Sequence, residues 1–312
     1  MANFTNFAPY NRSNITLLSP VKTQKYLSLL LVCSALFAFR MDKPAYRIFD
    51  KDGNACSYEQ LLEAAQQADI VLFGEQHNNP ICHWLQVELT QDLAQAKGKN
   101  LMLGAEMFET DNQLLINEYV QKTITAKQLE DEGKMWSNFK TDYKPLLDIA
   151  QQQGLAVVAT NIPRRYASLV SKKGLKALEQ LDQEAKQYIA PLPIAVDFSL
   201  PCYANMIQMM SGGHGGDMSP ENFAAAQAVK DATMAHFILK NWTVGKTLIH
   251  YNGAYHSDNF ESIVWYLKKQ NPQLNILTIS SVEQKQLESL MPENQNLASF
   301  ILVIPQSMTK SY

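Results

Sequence analysis

Four short polar segments in this chain each follow an apolar run, and each is built from groups that do chemistry. They are Gly74-Glu75-Gln76-His77, Gly104-Ala105-Glu106-Met107-Phe108-Glu109, Asn161-Ile162-Pro163-Arg164-Arg165 and Asn252-Gly253-Ala254-Tyr255-His256. Glu75 and His77 stand two apart, so an extended chain points both side chains the same way. A carboxylate beside an imidazole binds a divalent metal, or acts as a base with its orienting partner. His256 comes from a distant part of the chain and joins them after another glycine turn. Glu106 directly follows its apolar run, whereas Glu109 suits the start of the next helix, where negative charge is favourable. Glu75, His77, Glu106 and His256 therefore read as one site, built either to bind a divalent metal or to do acid–base work. Glu75, His77 and His256 are its candidate metal ligands, although no HExxH motif or Cys/His zinc spacing is present.

A second group lies between residues 203 and 218. Tyr203, Met206, Met209, Met210 and His214 fall within one short stretch, with Met218 just beyond. Tyrosinate, imidazole and thioether all bind haem iron, and apolar methionine surface suits a porphyrin face. His214 sits bare in the run Gly212-Gly213-His214-Gly215-Gly216. Arg164 can clamp a carboxylate or phosphate. Gln227 and Asp231 are four apart on an alanine-rich helix, so they share a face and can brace the strand-end residues from behind.

These side chains need a frame, and its outline is legible. Strands are expected at Tyr46–Phe49, Ile70–Phe73, Leu101–Met107, Leu155–Thr160, Thr247–Tyr251, Leu274–Ser280 and Ser299–Ile304. Ser57 with Gln60 forms a capping box, Asn79-Pro80 and Ser219-Pro220 open helices, and Gly154 closes one. A further helix is expected at Glu283–Met291. Strands alternating with helices predict an α/β fold, mainly a parallel sheet flanked by helices. In such a sheet ligands bind outside the carboxyl ends of the strands, where the four polar segments lie. Residues 164–240 contain no convincing strand and read as an inserted all-helical lid. The core is then 42–163 together with 241–312.

The chain has 312 residues, 46% hydrophobic and 18% charged, with a formal net charge of −3. That balance supports a large core and leaves no electrostatic footprint for nucleic acid. No acidic residue precedes Asp42, while Arg12, Lys22 and Lys25 precede the apolar run Tyr26–Phe39. Residues 1–41 therefore read as a signal peptide or membrane-targeting segment, giving an exported protein at the periplasm or envelope. Lipid attachment at Cys33 and simple cleavage are both open. Beyond that segment stand Cys56, Cys82 and Cys202, with no CxxC, so at most one internal disulfide forms.

Several of these segments resemble the ChaN-like family of iron-regulated bacterial haem-binding lipoproteins. The resemblance rests on Leu72-Phe73-Gly74-Glu75-Gln76-His77-Asn78-Asn79-Pro80, Glu106-Met107-Phe108, Tyr143-Lys144-Pro145-Leu146, Asn161-Ile162-Pro163-Arg164, and Ala226-Gln227 with Lys230-Asp231-Ala232-Thr233-Met234-Ala235. It implies a parallel α/β domain with a helical lid, and a role in haem or iron acquisition at the envelope. It also implies haem bound face to face across a homodimer, with iron held by a tyrosine. Tyr203 is the candidate for that ligand, with Tyr188 and Tyr166 as rivals, and His214, Met209, Met210 and Arg164 around it. The wider superfamily resembles erythromycin esterases and the TIKI and TraB proteins, which links Glu75, His77, Glu106 and His256 to hydrolysis. Family members usually end the fourth strand with Gly-x-Gly-His, whereas His256 here stands three residues after Gly253.

Overall fold

A computed structural model describes residues 43–211 and 219–312. The targeting segment with Cys33, and the stretch holding His214 and Met218, lie outside the described residues. Eight strands form one sheet: β1 (Arg47–Asp50), β2 (Ala55–Cys56), β3 (Ile70–Glu75), β4 (Leu101–Glu109), β5 (Ala156–Asn161), β6 (Thr247–Gly253), β7 (Ile276–Gln284) and β8 (Phe300–Pro305). Their order is β2-β1-β8-β7-β3-β6-β4-β5. β1 pairs antiparallel with β2 and β8, and every other pairing is parallel. The fold is thus the expected α/β architecture with a mainly parallel sheet, and the antiparallel ribbon at one edge is an addition. The two-residue β2 is too short for a sequence pattern to reveal.

β3 shows why the sheet must be covered on both sides. All six of its residues are buried. Val71 and Phe73 face one apolar cluster, together with Cys82, Leu85, Leu89 and Leu93 of α2 (Pro80–Lys97) and Leu146, Leu147 and Ala150 of α5 (Lys144–Gln153). Ile70 and Leu72 face the other, together with Ala232, Met234, Ala235 and Ile238 of α9 (Pro220–Asn241) and Ile263, Val264 and Leu267 of α10 (Ile263–Gln270). Alternate residues of one strand therefore feed opposite layers, as the period of two requires.

The remaining helices are α1 (Tyr58–Gln67), α3 (Gln113–Val120), α4 (Ala126–Gly133), α6 (Arg164–Lys173), α7 (Gln183–Lys186) and α8 (Pro201–Met209). The caps are as the sequence predicts. Ser57 and Gln60 exchange a capping box, and Asn79 and Ser219 accept from their first turns. Gly154 ends α5 at φ 64°, a left-handed position that favours glycine.

One expectation changes. Glu283–Met291 is not a helix: β7 runs on through Gln284, and Leu287 and Leu290 then bury against Phe49, Ile301 and Val303. The Gln284 side chain holds that loop by donating to Ser289 O at 3.0 Å and accepting from Met291 N at 3.1 Å. Residues 164–240 hold helices and, among the described residues, no strand. Their longest helix, α9, is one of the two that cover a face of the sheet, because Ala232, Ala235 and Ile238 allow close packing there.

Candidate functional site

The sheet order creates the site. The chain leaves β3 toward β4, then returns to lay β6 between them, and crosses β3 again to reach β7. The carboxyl ends of β3 and β6 therefore form a switch point, where connections diverge and open a crevice. Glu75, the last residue of β3, lies opposite Gly253, the last of β6. In β4 the pairing with β6 stops at Ala105–Tyr251, and its register with β5 shifts between Ala105 and Glu109. The shift frees Glu106 to reach across, and its Oε2 accepts the Gly253 amide at 2.8 Å.

Three of the four predicted residues are buried, and all four converge. His77 Nδ1 donates to Glu75 Oε1 at 2.8 Å, which leaves Nε2 pointing at Gly253. A Cβ added at Gly253 would stand only 2.8 Å from that nitrogen, so the glycine makes the room. His256 Nδ1 donates to Asp231 Oδ1 at 2.6 Å, and its Nε2 lies 3.3 Å from Glu106 Oε1. Two imidazoles, each backed by a buried carboxylate, thus flank one crevice. The His77 side chain is 35% exposed, which opens the site to solvent. Trp136 packs edge-on against it, with ring centroids 5.1 Å apart.

The electrostatics separate the two rings. Burial opposes charge on His256, but Glu106 and Asp231 outweigh it and push the ring up to about 10. Burial alone would likewise raise Glu106, yet the charge and hydrogen bond of His256, with help from His77 and the Gly253 amide, hold it well below the usual carboxylate range. His256 is therefore an imidazolium locked between two acids. His77 is also raised: burial pulls it down, but the Glu75 hydrogen bond and the Glu106 charge prevail. One ring is a standing cation and the other an exposed, carboxylate-oriented acid or base.

Behind Glu75 lies a layer the sequence reading missed. Tyr143 donates to Glu75 Oε1 at 2.7 Å and Gln86 Nε2 to its Oε2 at 2.5 Å. His83 Nδ1 meets Gln86 Oε1 at 3.1 Å, and its Nε2 meets the His77 carbonyl at 3.0 Å with Asp142 at 3.3 Å. Asn138 ties Asp142 to that same carbonyl. The available signal was His83, Gln86 and Thr90 recurring at helical spacing among Cys82, Leu89 and Leu93, polar side chains on a face that must be buried.

The expected metal set does not form. Both Glu75 oxygens are already taken by His77, Tyr143 and Gln86, and His256 spends both nitrogens on carboxylates. Among the described residues no three His, Cys, Asp or Glu side chains are arranged to hold a metal ion.

The other candidates are placed as follows. Asp231 braces His256 directly, and its second oxygen accepts from Tyr203 at 2.7 Å. Gln227 instead accepts from Lys230 at 3.1 Å. Tyr203 is fully buried, so it presents no oxygen outside the core. Met209 is exposed and Met210 half-buried. Arg164 is exposed, with Glu109 at 3.9 Å. Arg165 pairs with Asp111 and lies over the Tyr166 ring. Tyr188 is half-buried. The three described cysteines are free.

A separate cleft of about 390 Å³ lies between the segment 190–195, α9 and α10. Ala190, Pro191, Pro193, Ile194, Ala195 and Ala232 form its apolar walls, and His236, Tyr266, Lys269 and Gln270 its polar rim.

Comparison with known proteins places these features in a family. A solved structure of ChaN from Campylobacter jejuni, described as showing cofacial heme binding, is similar with a TM-score of 0.62 at 17% identity, covering 83% of this chain and 96% of that one. The type III effector HopBA1 is more distant, with a TM-score of 0.43 at 14% identity over 79% of this chain and 92% of its own. RETICULATA-RELATED 5, a chloroplastic protein of Arabidopsis thaliana, is 26% identical over 196 residues, which is 59% of this chain. The chain spans only 25% of that relative's length. The family model described as haem-binding uptake, Tiki superfamily, ChaN matches residues 61–267, and this chain belongs to that family.

Proposed function

We propose that this protein binds haem as cargo and serves haem or iron acquisition at the cell envelope, as a homodimer with haem at or near the interface. The observation that carries the reading is the family match over residues 61–267, which takes in β3 to β6 and the helical stretch 164–240. The acid-free N-terminus with its basic residues and apolar run supports export, by cleavage or with a lipid anchor. Among the described residues no helix is long and apolar enough to cross a membrane.

The residues present fit a porphyrin. The group needs an apolar slot, an iron-ligating side chain and cations for its propionates. The cleft beside α9 and α10 has apolar walls with an imidazole and an ammonium at its rim. Haem titration of the full chain, read by absorbance and followed by sizing, tests the reading. The expected result is a saturable Soret change near one haem per chain with a shift to dimer. Binding no greater than that of a control protein would refute it.

A second reading, hydrolysis of an ester or amide, is favoured by the carboxylate-backed His77 and His256. His77 Nε2 is the group placed to take a proton, and the His256 cation the group placed to steady developing negative charge. Screening esters and amides with the protein and with His77→Ala tests it. A turnover that the substitution leaves intact would exclude His77 as the base.

A further inference from the structure

Beyond β8 the chain returns to the strand-end site. β8 lies beside β7, and β7 beside β3. These three strands are parallel, so their carboxyl ends share the edge that carries His77. From Pro305 the chain runs along that edge. Gln306 N donates to Gln284 O at 2.8 Å, at the end of β7. Met308 is half-buried and packs against the apolar cluster that holds Val71 and Phe73. Ser311 N then donates to the carbonyl of Asn78, the residue after His77, at 2.9 Å. Residues 306–312 therefore cross from β8 over β7 to the turn that carries the exposed imidazole.

Side chains tie the crossing down. Lys310 pairs with Glu283, and the same Glu283 oxygen accepts from Asn79 Nδ2 at 2.9 Å. Glu283 thus links the crossing segment to the residue that caps α2. Tyr312 follows. Its side chain is largely exposed, yet partial burial and the charges of Glu75 and Asp142, the carboxylates behind His77, raise its phenol above the ordinary value.

These ties are light. Apart from Met308, every residue from Gln306 to Tyr312 is exposed. The segment has no helix or strand of its own, and a partly exposed ion pair contributes little. A stretch with so few buried contacts opens locally at small cost while the sheet stays folded.

We propose that residues 306–312 are a strap over the strand-end site, and that opening of the strap governs access of a ligand to His77. The inference rests on the second reading above, in which His77 Nε2 takes a proton during hydrolysis. Closed, the strap walls one side of the His77 turn, while Trp136 packs against the ring itself. Open, it frees the Asn78 carbonyl and widens the approach to the ring.

The test compares the full chain with three variants. Ser311→Pro removes the amide that donates to Asn78. Lys310→Glu sets two acids against each other. A chain ended after Met308 loses the crossing but keeps its apolar anchor. Diethyl pyrocarbonate modifies accessible imidazoles, and peptide mass spectrometry reads the rate at His77, with half-buried His236 as the internal reference. Rates taken at several pH values separate a change in access from a change in His77 protonation, and circular dichroism checks folding. Ser311→Pro and the shortened chain should speed His77 modification roughly two- to tenfold, the worth of one net hydrogen bond, with His236 unchanged. Lys310→Glu should act in the same direction. If all three folded variants are modified at the wild-type rate, the strap is wrong, whatever their activity. Ester and amide screening of the same proteins tests the reading beneath it. Faster modification of His77 without any turnover would leave the strap standing and count against hydrolysis.

Discussion

His256 and Asp231 meet at 2.6 Å, although 25 residues and two different elements separate them. Asp231 belongs to the middle of α9 and His256 to the turn after β6. The contact joins the helical stretch to the strand-end site, and it does so with a buried charge pair.

Removing that partner should be costly. Asp231→Ala leaves the His256 cation short of one carboxylate and Tyr203 without an acceptor. Breaking a buried pair typically costs roughly 3–5 kcal/mol. Urea denaturation at neutral pH reads the loss. Proton NMR should show the His256 titration moving down from about 10.

The same pair sets a pH window. His256 is raised in the folded state, so its contribution is complete below its ordinary 6.5 and fades as pH rises toward about 10. Glu106 is lowered, so its contribution is present above its ordinary 4.5 and fades as acid protonates it. For these two groups stability should peak between those ordinary values and fall on both sides. Melting temperatures measured from pH 4 to 10 check this, and a flat profile would contradict it.

Tyr203→Phe separates structure from ligation. The substitution strips Asp231 of a 2.7 Å donor inside the core, worth about 1–3 kcal/mol. Stability should drop by that order, while the ferric-haem spectrum stays as in wild type. A changed Soret band would return Tyr203 to the list of iron ligands.

Two glycines at the strand ends should respond differently to alanine. At Gly253 a Cβ meets the His77 ring at 2.8 Å, a side chain that can swing away. At Gly74 it meets Ala254 Cα and Ile279 O, both at 2.8 Å, and both are backbone. Gly253→Ala should cost about 1–3 kcal/mol and displace His77, whereas Gly74→Ala should cost more and lower soluble yield. Equal losses in chemical denaturation would contradict the distinction.

Tyr143→Phe tests the layer behind Glu75. It removes a 2.7 Å hydrogen bond to a buried carboxylate, again about 1–3 kcal/mol. The His77 titration should shift with it, because Glu75 orients that ring. An unchanged His77 would uncouple the layer from the site.

The sequence was most readable where a rule of spacing coincided with burial. Apolar runs ending in Glu75, Glu106 and His256 placed the strands and the site together, since a parallel sheet puts its crevice at those ends. Asp231 was legible as a brace through its shared face with Gln227, but the geometry kept one and released the other to Lys230. His83 and Asp142 were obscure because their partners come from distant elements. The Glu283–Met291 segment misled because leucines three apart, Leu287 and Leu290, suit a helix as well as a loop pinned by Gln284.

Asp231 and His236 are five positions apart on α9, about 7.5 Å along its axis. One rigid rod therefore serves as the ruler between the charge pair and the cleft. Insertion of a single residue between the two would turn one end about 100° against the other. Length changes in that short interval should be intolerable to the protein, and deletion scanning along α9 would find the boundary at those two residues.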